Sequence, residues 1–567
     1  MKRFAVCLLL AVSAWSQVHH HTPDSPARVD LAKLPKPVVL EGIGHGHIAI
    51  TTKSPEAQRW FDQGLALLHC FWDYEALRAF AEAVRLDPDC AMCHWGLARA
   101  LTLHGGDPDA AKAEISKAKE LSGHASDHEQ RYIRADAASL EDKGDGGDSA
   151  YAKEMEALIQ HYPDDVQAKL FYVLSLNHGY DEQGDPRSGT FYGQAMLREL
   201  LRQDPDNAAA NHYWIHAVEA SDHPEWALDS AAKLGALAPA SGHMVHMPGH
   251  IYFRTGDYEK ARQIFLAAKR ADAEYMARYH VAVRDDWNYV HNISYLIADC
   301  AEEGRFQEAR DEARALNGTA DDPDRSGNPF FYVLQIGSTE ARLAVRYARW
   351  EDVIAHPLEF GVPDGELNVW ARGYRDGLIA YARGMQAAEA GQLADAGTQA
   401  NALEALLWRV SQEDLDEKNQ GGQKRVLRLL GTAALELRGL IAGQKGDLET
   451  ARQLLARADE EEKKAGYSEP PLYARPALEV FGAVLIRAGK FDDARAEFRK
   501  ELARRPRSGF ALYGIAFAWD KEGKREEAAK AYLDFLGAWS HADSDLPQVK
   551  AARQYLAGDG SAAASGR

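Results

Sequence analysis

The chain has 567 residues, which is too long for one hydrophobic core, since single cores stop growing near about 250–300 residues. Hydrophobic residues make up 46% and charged residues 27% of the chain, a composition typical of water-soluble proteins. The net charge of -19 argues against a nucleic-acid partner and against an anionic membrane surface, because both attract positive charge. We therefore expect several domains or an array of repeats.

The N-terminal residues have the pattern of a secretory signal peptide. Lys2 and Arg3 precede a short apolar run that ends near Ala14, and Ser16 follows as a second small residue. The run is shorter than the roughly 20 apolar residues that span a bilayer, and no later stretch approaches that length. These features predict a signal peptide over residues 1–16, no membrane span, and a periplasmic or secreted protein after cleavage.

Pairs of helical segments recur along the chain after a proline-rich stretch over residues 17–55, where we expect an extended linker. Each pair has an apolar helix, a Gly-centred turn, an alanine three or four residues later, and then an aromatic or aliphatic residue. Instances are residues 64–88, 249–272, 301–316, 439–457, 482–506 and 514–536. Alanine and glycine let the helices approach closely, and Phe80, Phe265 and Phe498 are predicted to fill the space between them.

This pattern resembles the tetratricopeptide repeat over roughly residues 55–540. The resemblance implies an all-α fold, a right-handed superhelical solenoid of antiparallel helix pairs with a concave groove. We expect an N-terminal array over residues 56–330, a C-terminal array over 331–545 and a disordered tail over 546–567. The segments "NHYWIHAVEAS", "GHMVHMPGHIY" and "VHNISYL" also resemble exported bacterial tetratricopeptide proteins of unassigned activity, which implies a specialised subfamily and supplies no activity.

Histidines concentrate in the middle of the chain, where nine of the 22 lie between His178 and His291. Six of them fall 18, 15 or 11 residues before Ala227, Ala261 or Ala309, the alanines that follow the turns. These offsets correspond to i, i+3 and i+7, which is one stripe of a helix, and the resemblance implies that this stripe faces the concave groove. The six residues are His212, His216, His243, His246, His250 and His291.

The histidine stripe indicates a metal site, since imidazole and carboxylate groups three or four residues apart on a helix can ligate one ion. Such ligands suit a divalent transition metal, Zn, Cu, Fe or Ni, without choosing among them. Glu219 continues the stripe after His216 and is the candidate general base for metal-dependent catalysis, while His178 is a further candidate ligand. In the alternative interpretation, the chain is a non-catalytic scaffold that binds a peptide or partner protein in the groove through polar histidines.

A second pattern, "DPDCAMCHWGLA", holds Cys90, Cys93 and His94 in the spacing of a c-type haem attachment site. Its context favours a different interpretation, because Asp87 and Pro88 end one repeat and the motif begins the next helix. A haem would need space inside that helix junction. We therefore expect a local redox pair or buried thiols at this position rather than haem.

Overall fold

The computed structural model describes residues 31–103, 107–141, 147–181, 184–319, 336–358, 369–415 and 417–558. The predicted signal peptide over residues 1–16 and the predicted boundary between residues 330 and 331 lie outside these ranges. The described residues form 25 α-helices and no β-strand. The predicted all-α fold is therefore confirmed. None of the described helices is both long enough and apolar enough to cross a bilayer.

The chain divides into two compact units between Ser230 and Ala231, a division that falls inside helix α10 (Leu228–Leu237). The helices of unit 1 are α1 (Pro55–His69), α2 (Asp73–Leu86), α3 (Ala91–Leu103), α4 (Pro108–Leu121), α5 (Asp127–Glu141), α6 (Gly147–His161), α7 (Val166–Leu176), α8 (Ser188–Gln203) and α9 (Ala208–Val218). Each packs on the next through a short connection, which makes neighbouring helices antiparallel.

Unit 2 continues the same arrangement of helix pairs. Its helices are α11 (Gly242–Thr255), α12 (Tyr258–Tyr279), α13 (Trp287–Glu302), α14 (Phe306–Gly318), α15 (Thr339–Arg346), α16 (Trp350–Ala355), α17 (Val369–Glu389), α18 (Leu393–Ser411), α19 (Glu417–Gln444), α20 (Leu448–Lys464), α21 (Ala477–Arg487), α22 (Phe491–Arg504), α23 (Gly509–Glu522), α24 (Arg525–Ala538) and α25 (Pro547–Leu556).

Capping residues set the ends of the two helices that carry most of the histidines. Asn207 accepts a hydrogen bond from the backbone N–H of Ala210 at the start of α9 (2.9 Å). Ser241 accepts one from Met244 at the start of α11 (3.3 Å). Gly256 ends α11 at a φ of 80°, in the left-handed region that glycine adopts without strain.

Close contacts between glycine and phenylalanine space the helix pairs. A Cβ built on Gly64 or Gly96 would lie 2.8 Å or 2.3 Å from the ring of Phe80, so only glycine fits there. Gly249 stands in the same relation to Phe265 (2.3 Å). A Cβ on Gly482 or Gly514 would likewise collide with the ring of Phe498. All three rings are buried, which confirms the packing predicted for them.

The described part of the predicted linker begins with a short 3-10 helix (Leu31–Lys33), and the following segment, residues 34–54, packs along α1 as part of unit 1. The side chain of Gln63 donates to the carbonyl of Val38 (2.9 Å) and accepts from the backbone N–H of Leu40 (3.0 Å). Ile43 is buried in the same segment. Although it lacks helix, as its prolines predict, the segment is held along its length by these contacts.

The C-terminal residues differ from the expected disordered tail over residues 546–567. Helix α25 forms there, with Pro547 in its first turn, and packs on α24. Val549 and Ala552 are buried, and these two apolar residues three apart give the helix its packing face. The tail prediction overlooked this pair, and residues 559–567 lie outside the described part of the chain.

Candidate metal centre

Helix α11 carries three of the predicted histidines on one face. His243, His246 and His250 lie at i, i+3 and i+7, and the helix continues through Pro248 between them. All three side chains are buried, with at most 2% of their surface exposed. Their ring nitrogens therefore need partners within the protein.

Asn292 of α13 fixes the orientation of the His246 ring. Its Oδ1 lies 2.7 Å from Nδ1 of His246, while its Nδ2 donates to the backbone carbonyl of Phe265 (2.9 Å). An amide oxygen only accepts, so Nδ1 of His246 carries the proton in this bond. Nε2 of the neutral ring is then left as the nitrogen with the lone pair.

His243 is held in the same way one turn earlier. Its Nδ1 lies 3.1 Å from Oδ1 of Asn288, and Asn288 donates to the carboxyl group of Asp272 (2.8 Å). Burial raises the pKa of Asp272 well above its ordinary value, and the neighbouring Asp286 raises it further. His243, Asn288 and Asp272 thus form a chain of three buried side chains joined by hydrogen bonds.

Three histidines of unit 2 bring their ring nitrogens close together: His246 and His250 of α11 and His291 of α13. Nε2 of His246 lies 2.6 Å from Nε2 of His250, and the ring of His291 from α13 lies 4.8 Å and 5.6 Å from their ring centroids. One nitrogen from each ring lies within 4.8 Å of the other two. Nitrogen ligands of a tetrahedral zinc ion are about 3.3 Å apart, given bonds of about 2.0–2.1 Å, so small shifts would bring all three onto one ion. We name this set the three-histidine site.

Glu469, in the segment between α20 and α21, faces the same set. Its Oε2 lies 3.8 Å from Nδ1 of His250 and 3.8 Å from Nε2 of His291. On His250 this is the nitrogen opposite the one that faces His246. The carboxylate is therefore placed as the partner of the second nitrogen of His250, a position that orients metal-ligating histidines in many proteins.

Aromatic rings form the wall of the three-histidine site. The ring centroid of Tyr295 lies 4.4 Å from that of His250 and 5.8 Å from those of His246 and His291. Phe265 stacks on Tyr295 at 5.1 Å. These rings exclude water, and the low local polarity strengthens electrostatic interactions among the groups inside.

A pair of histidines occupies unit 1, on α9. Nε2 of His212 lies 3.0 Å from Nε2 of His216. His212 donates from Nδ1 to the carbonyl of His69 (2.7 Å), and His216 donates from Nδ1 to the carboxylate of Glu219 (2.6 Å). With the Nδ1 protons used in these two bonds, each neutral ring keeps its lone pair on Nε2. The Nε2 lone pairs of His212 and His216 then point at each other unless a proton or a cation lies between them.

The His212–His216 pair and the three-histidine site differ in the number of histidine nitrogens that one unit supplies to a possible ion. The His212–His216 pair offers two nitrogens, whereas the three-histidine site offers three. Zinc sites in proteins use four ligands in structural sites and three plus an open position in catalytic sites. Within a single unit, the three-histidine site is the fuller ligand set.

The remaining predicted site residues take other positions. Glu219 is buried and bonded to His216, which is the position of an orienting acceptor, and its role as a general base stays a prediction. His178 is half-buried in the loop after α7, and among the described residues it belongs to neither set of converging nitrogens.

Several residues that shape these sets were not predicted from the sequence. Asn288 and Asn292 lie four residues apart on α13, and that spacing could have indicated a polar face toward α11. Glu469 carries no such signal, since it follows α20, far along the chain from the histidines. His69 also went unnoticed; burial lowers its pKa to about 4, and it contacts Tyr213 through Nδ1 (2.7 Å).

The Cys-x-x-Cys-His motif forms a disulfide between Cys90 and Cys93 at the start of α3. His94 contacts Glu114 through Nδ1 (2.6 Å) and the carbonyl of Pro88 through Nε2 (3.0 Å). Burial lowers the pKa of His94, but these two contacts outweigh burial and raise it. Haem attachment would need both sulfurs as thioethers and one nitrogen of His94 as an iron ligand, which this arrangement does not offer. Cys70 and Cys300 are buried thiols.

The fold and these sites define an all-α repeat protein built from antiparallel helix pairs. Sequence profiles of the tetratricopeptide repeat match residues 75–126, 481–543 and 244–275, and the last range covers most of α11 and most of α12. The chain therefore contains tetratricopeptide repeats over these three ranges.

Solved structures with similar folds have low sequence identity. The APC/C hetero-tetramer Cut9–Hcn1 is 13% identical with a TM-score of 0.30, covering 88% of this chain and 84% of that chain. The human IFIT1 dimer with m7Gppp-AAAA is 12% identical with a TM-score of 0.32, covering 80% of this chain and 90% of that chain. No curated protein is significantly similar to the chain.

Proposed function

We propose that this tetratricopeptide repeat protein binds one divalent transition-metal ion at the three-histidine site, with His246, His250 and His291 as ligands. The observation that carries the proposal is the convergence of three buried imidazoles of unit 2 within 4.8 Å. Each residue lies on a helix, and two of the three share α11, so the backbone holds them in register.

The hydrogen bonds around the site support a metal over a purely polar network. Asn292 accepts a hydrogen bond from the Nδ1–H of His246, which leaves the lone pair on Nε2, the nitrogen that faces Nε2 of His250 at 2.6 Å. Glu469 faces the other nitrogen of His250, as a carboxylate behind a metal-bound histidine does. A cation at the centre would be shared by the converging nitrogens of the three rings.

The donor set indicates which ions to expect. Neutral imidazole suits Zn, Cu, Fe and Ni, and three protein nitrogens leave one position of a tetrahedral zinc ion open. When bound, such an ion supplies Lewis acidity at that position. We propose Zn²⁺ as the first ion to test, with metal-dependent hydrolysis as the reaction class that this set would support.

Metal analysis of the full chain tests the proposal. Chelator-treated protein is titrated with Co²⁺, followed by visible absorption, and the content of a zinc-reconstituted sample is measured by mass spectrometry. We expect binding that is lost in the variant His250→Ala and retained in His94→Gln, a control at another buried histidine. Less than ~0.2 ion per chain in the unsubstituted protein would overturn the proposal.

The second candidate function is that of a protein-interaction scaffold, which the repeats themselves indicate. One observation favours it: Phe191, Tyr192 and Trp226 of unit 1 are 63%, 53% and 47% exposed, and Arg198 stacks over Trp226 at 5.4 Å. Exposed aromatic rings with an arginine are typical of protein interfaces.

Paired substitutions test the scaffold function. Proteins captured by the unsubstituted chain are compared with those captured by Phe191→Ser/Trp226→Ser, with Trp408→Ser as the control at an exposed ring of unit 2. A partner that is lost only with the first variant supports a scaffold that uses this surface. If the unsubstituted chain and both variants capture the same proteins, the scaffold function of this surface is contradicted.

A further inference from the structure

The described chain between α20 and α21, residues 466–476, contains neither helix nor strand and lies against the three-histidine site. We name it the strap. Most of its residues are half-buried or exposed, so it lies at the surface of unit 2. The side chain of Glu469 is only 8% exposed and points inward, with Oε2 3.8 Å from Nδ1 of His250 and 3.8 Å from Nε2 of His291. The strap therefore stands between these histidines and solvent.

The rings of the three-histidine site are closed off from solvent in this arrangement. His246 and His250 have no exposed surface, and His291 is 1% exposed. An ion or a small molecule can reach their nitrogens only if some element moves. Moving α11 or α13 would disrupt the core contacts that Phe265 makes with both helices. Surface segments open locally at a lower free energy than packed helices, so the strap is the element that moves.

A hydrogen bond to a buried carboxyl group fastens the strap near its C-terminal end. The hydroxyl group of Tyr473 donates to Oε2 of Glu436, which belongs to α19 and has no exposed surface. Burial raises the pKa of Tyr473 well above its ordinary value of 10, so the hydroxyl group keeps its proton and stays the donor. Arg475 lies beside the same carboxyl group, with Nε 3.9 Å from Oε1 of Glu436.

A second contact fixes the strap beside the histidines. The hydroxyl group of Tyr467 lies 3.3 Å from that of Tyr295, the ring that packs on His250. The guanidinium group of Arg254 lies over the ring of Tyr467, 5.6 Å from its centroid. The closed strap thus completes the aromatic wall of the three-histidine site.

The strap has the features of a segment that turns as one body. The backbone N–H of Leu472 donates to Oγ of Ser468 (3.1 Å), which ties its two halves together. Gly466 begins the strap at a φ of 74°, in the left-handed region where glycine adopts many conformations without strain. The chain can therefore rotate at Gly466 while the contacts inside the strap persist.

We propose that the strap is a lid over the three-histidine site, closed by the bond between Tyr473 and Glu436 and opened by rotation about Gly466. Opening gives small ions and molecules access to the imidazoles, and closure returns Glu469 to His250. The lid itself needs no ion; only the identity of what enters, a divalent transition metal, rests on the proposed function.

Chemical modification of the chelator-treated full chain measures access to the site. Diethyl pyrocarbonate acylates the neutral imidazoles that it can reach, and peptide mass spectrometry gives the rate at each histidine. In the unsubstituted chain, we expect His250 to react much more slowly than the exposed His124. In Tyr473→Phe, we expect His250 to react about ten-fold faster, because the loss of one buried hydrogen bond shifts the opening equilibrium by roughly that factor.

Tyr381→Phe is the matched control. Tyr381 of α17 donates to Oε1 of the same carboxyl group (2.9 Å) but lies outside the strap. This variant should keep the His250 rate of the unsubstituted chain. Equal acceleration in both variants, or none in Tyr473→Phe, would overturn the proposal. Equal rates at His250 and His124 in the unsubstituted chain would also overturn it, because the strap would then cover nothing.

Hydrogen exchange gives a second measurement that does not depend on the folding of a variant. In the unsubstituted chain, the amides of residues 467–475 should exchange faster than those of α20 and α21, and at rates similar to one another. Exchange no faster than in the two helices would contradict a lid. Both measurements are made without metal, so a failure of the three-histidine site to bind an ion would contradict the proposed function and not the lid.

Discussion

His246 and Asn292 form a hydrogen bond in which the direction of donation is fixed by a third group. The amide of Asn292 donates to the carbonyl of Phe265, so its oxygen must face Nδ1 of His246, 2.7 Å away. The proton of His246 is thereby held on Nδ1. This bond selects the nitrogen that faces His250 and fixes the orientation of the His246 ring.

The first prediction concerns this hydrogen bond. Asn292→Ala removes the acceptor, and we expect metal affinity at the three-histidine site to fall by about 10–100-fold, as is usual when a partner behind a ligand is lost. Competition with a chelator of known affinity measures the change. Asn292→Asp keeps an acceptor for His246 and should lose less affinity; equal affinity in all three proteins would contradict the assigned role of Asn292.

The second prediction concerns the spacing of α11 and α12. Gly249→Ala would place a Cβ 2.3 Å from Cε1 of Phe265, a ring with no exposed surface. We expect a loss of about 1–3 kcal/mol in the free energy of unfolding, measured by denaturant titration, because overpacking forces the helices apart.

Gly397→Ala is the control for this substitution. Gly397 lies within α18, and nothing is within 4 Å of the position of its Cβ. Alanine there should leave stability unchanged or raise it by up to about 1 kcal/mol, through its higher helix propensity. A similar loss in both variants would show that the Phe265 contact does not set the cost at Gly249.

The third prediction concerns pH. Burial raises the pKa of Glu501, near the end of α22, from its ordinary 4.5 to about 7, and Arg505 at 3.4 Å only partly offsets this. At a pH between 4.5 and about 7, the carboxyl group of Glu501 is mostly protonated in the folded state and mostly ionised in the unfolded state. The unfolded state then binds fewer protons, so stability falls as pH rises through this window, by at most about 1.4 kcal/mol per pH unit.

Glu501→Gln removes that dependence. We expect the variant to melt at a higher temperature than the unsubstituted chain at pH 8, with a smaller difference at pH 5, where Glu501 is mostly protonated in the folded state. Thermal unfolding followed by circular dichroism at both values measures the effect. A difference that is larger at pH 5 would contradict the direction of the shift.

The fourth prediction concerns the cysteines. In denatured, unreduced protein, a maleimide should label Cys70 and Cys300 and spare Cys90 and Cys93, which should react only after reduction. Mass spectrometry of the labelled peptides distinguishes the four positions. Labelling of Cys90 before reduction would show that the disulfide is absent.

The fold was predictable because its determinants are local in sequence. The Gly-turn-Ala-aromatic pattern repeats within each helix pair, and Phe80, Phe265 and Phe498 lie where it places them. Helix α25 was missed because only two buried side chains, Val549 and Ala552, give it a packing face, too few for a clear periodic signal.

The candidate site was predictable only in part, for a related reason. His246 and His250 lie four residues apart on one helix, and His291 occupies in the next repeat the position that His243 has in α11, so their common face follows from the repeat period. Glu469 comes from a segment outside that period, and only tertiary packing brings it to His250. The direction of the hydrogen bonds, such as that from His246 to Asn292, also depends on this packing.

The contacts of Phe265 restrict which substitutions the protein can tolerate at this position. One edge of its ring fills the gap at Gly249, and the ring also lies 5.0 Å from His246 and 5.1 Å from Tyr295. A substitution of Phe265 that alters the surroundings of the histidines would also alter the distance between α11 and α12. Two independent constraints therefore act on one side chain, so engineering of the three-histidine site should begin from α13 and leave the Phe265 ring intact.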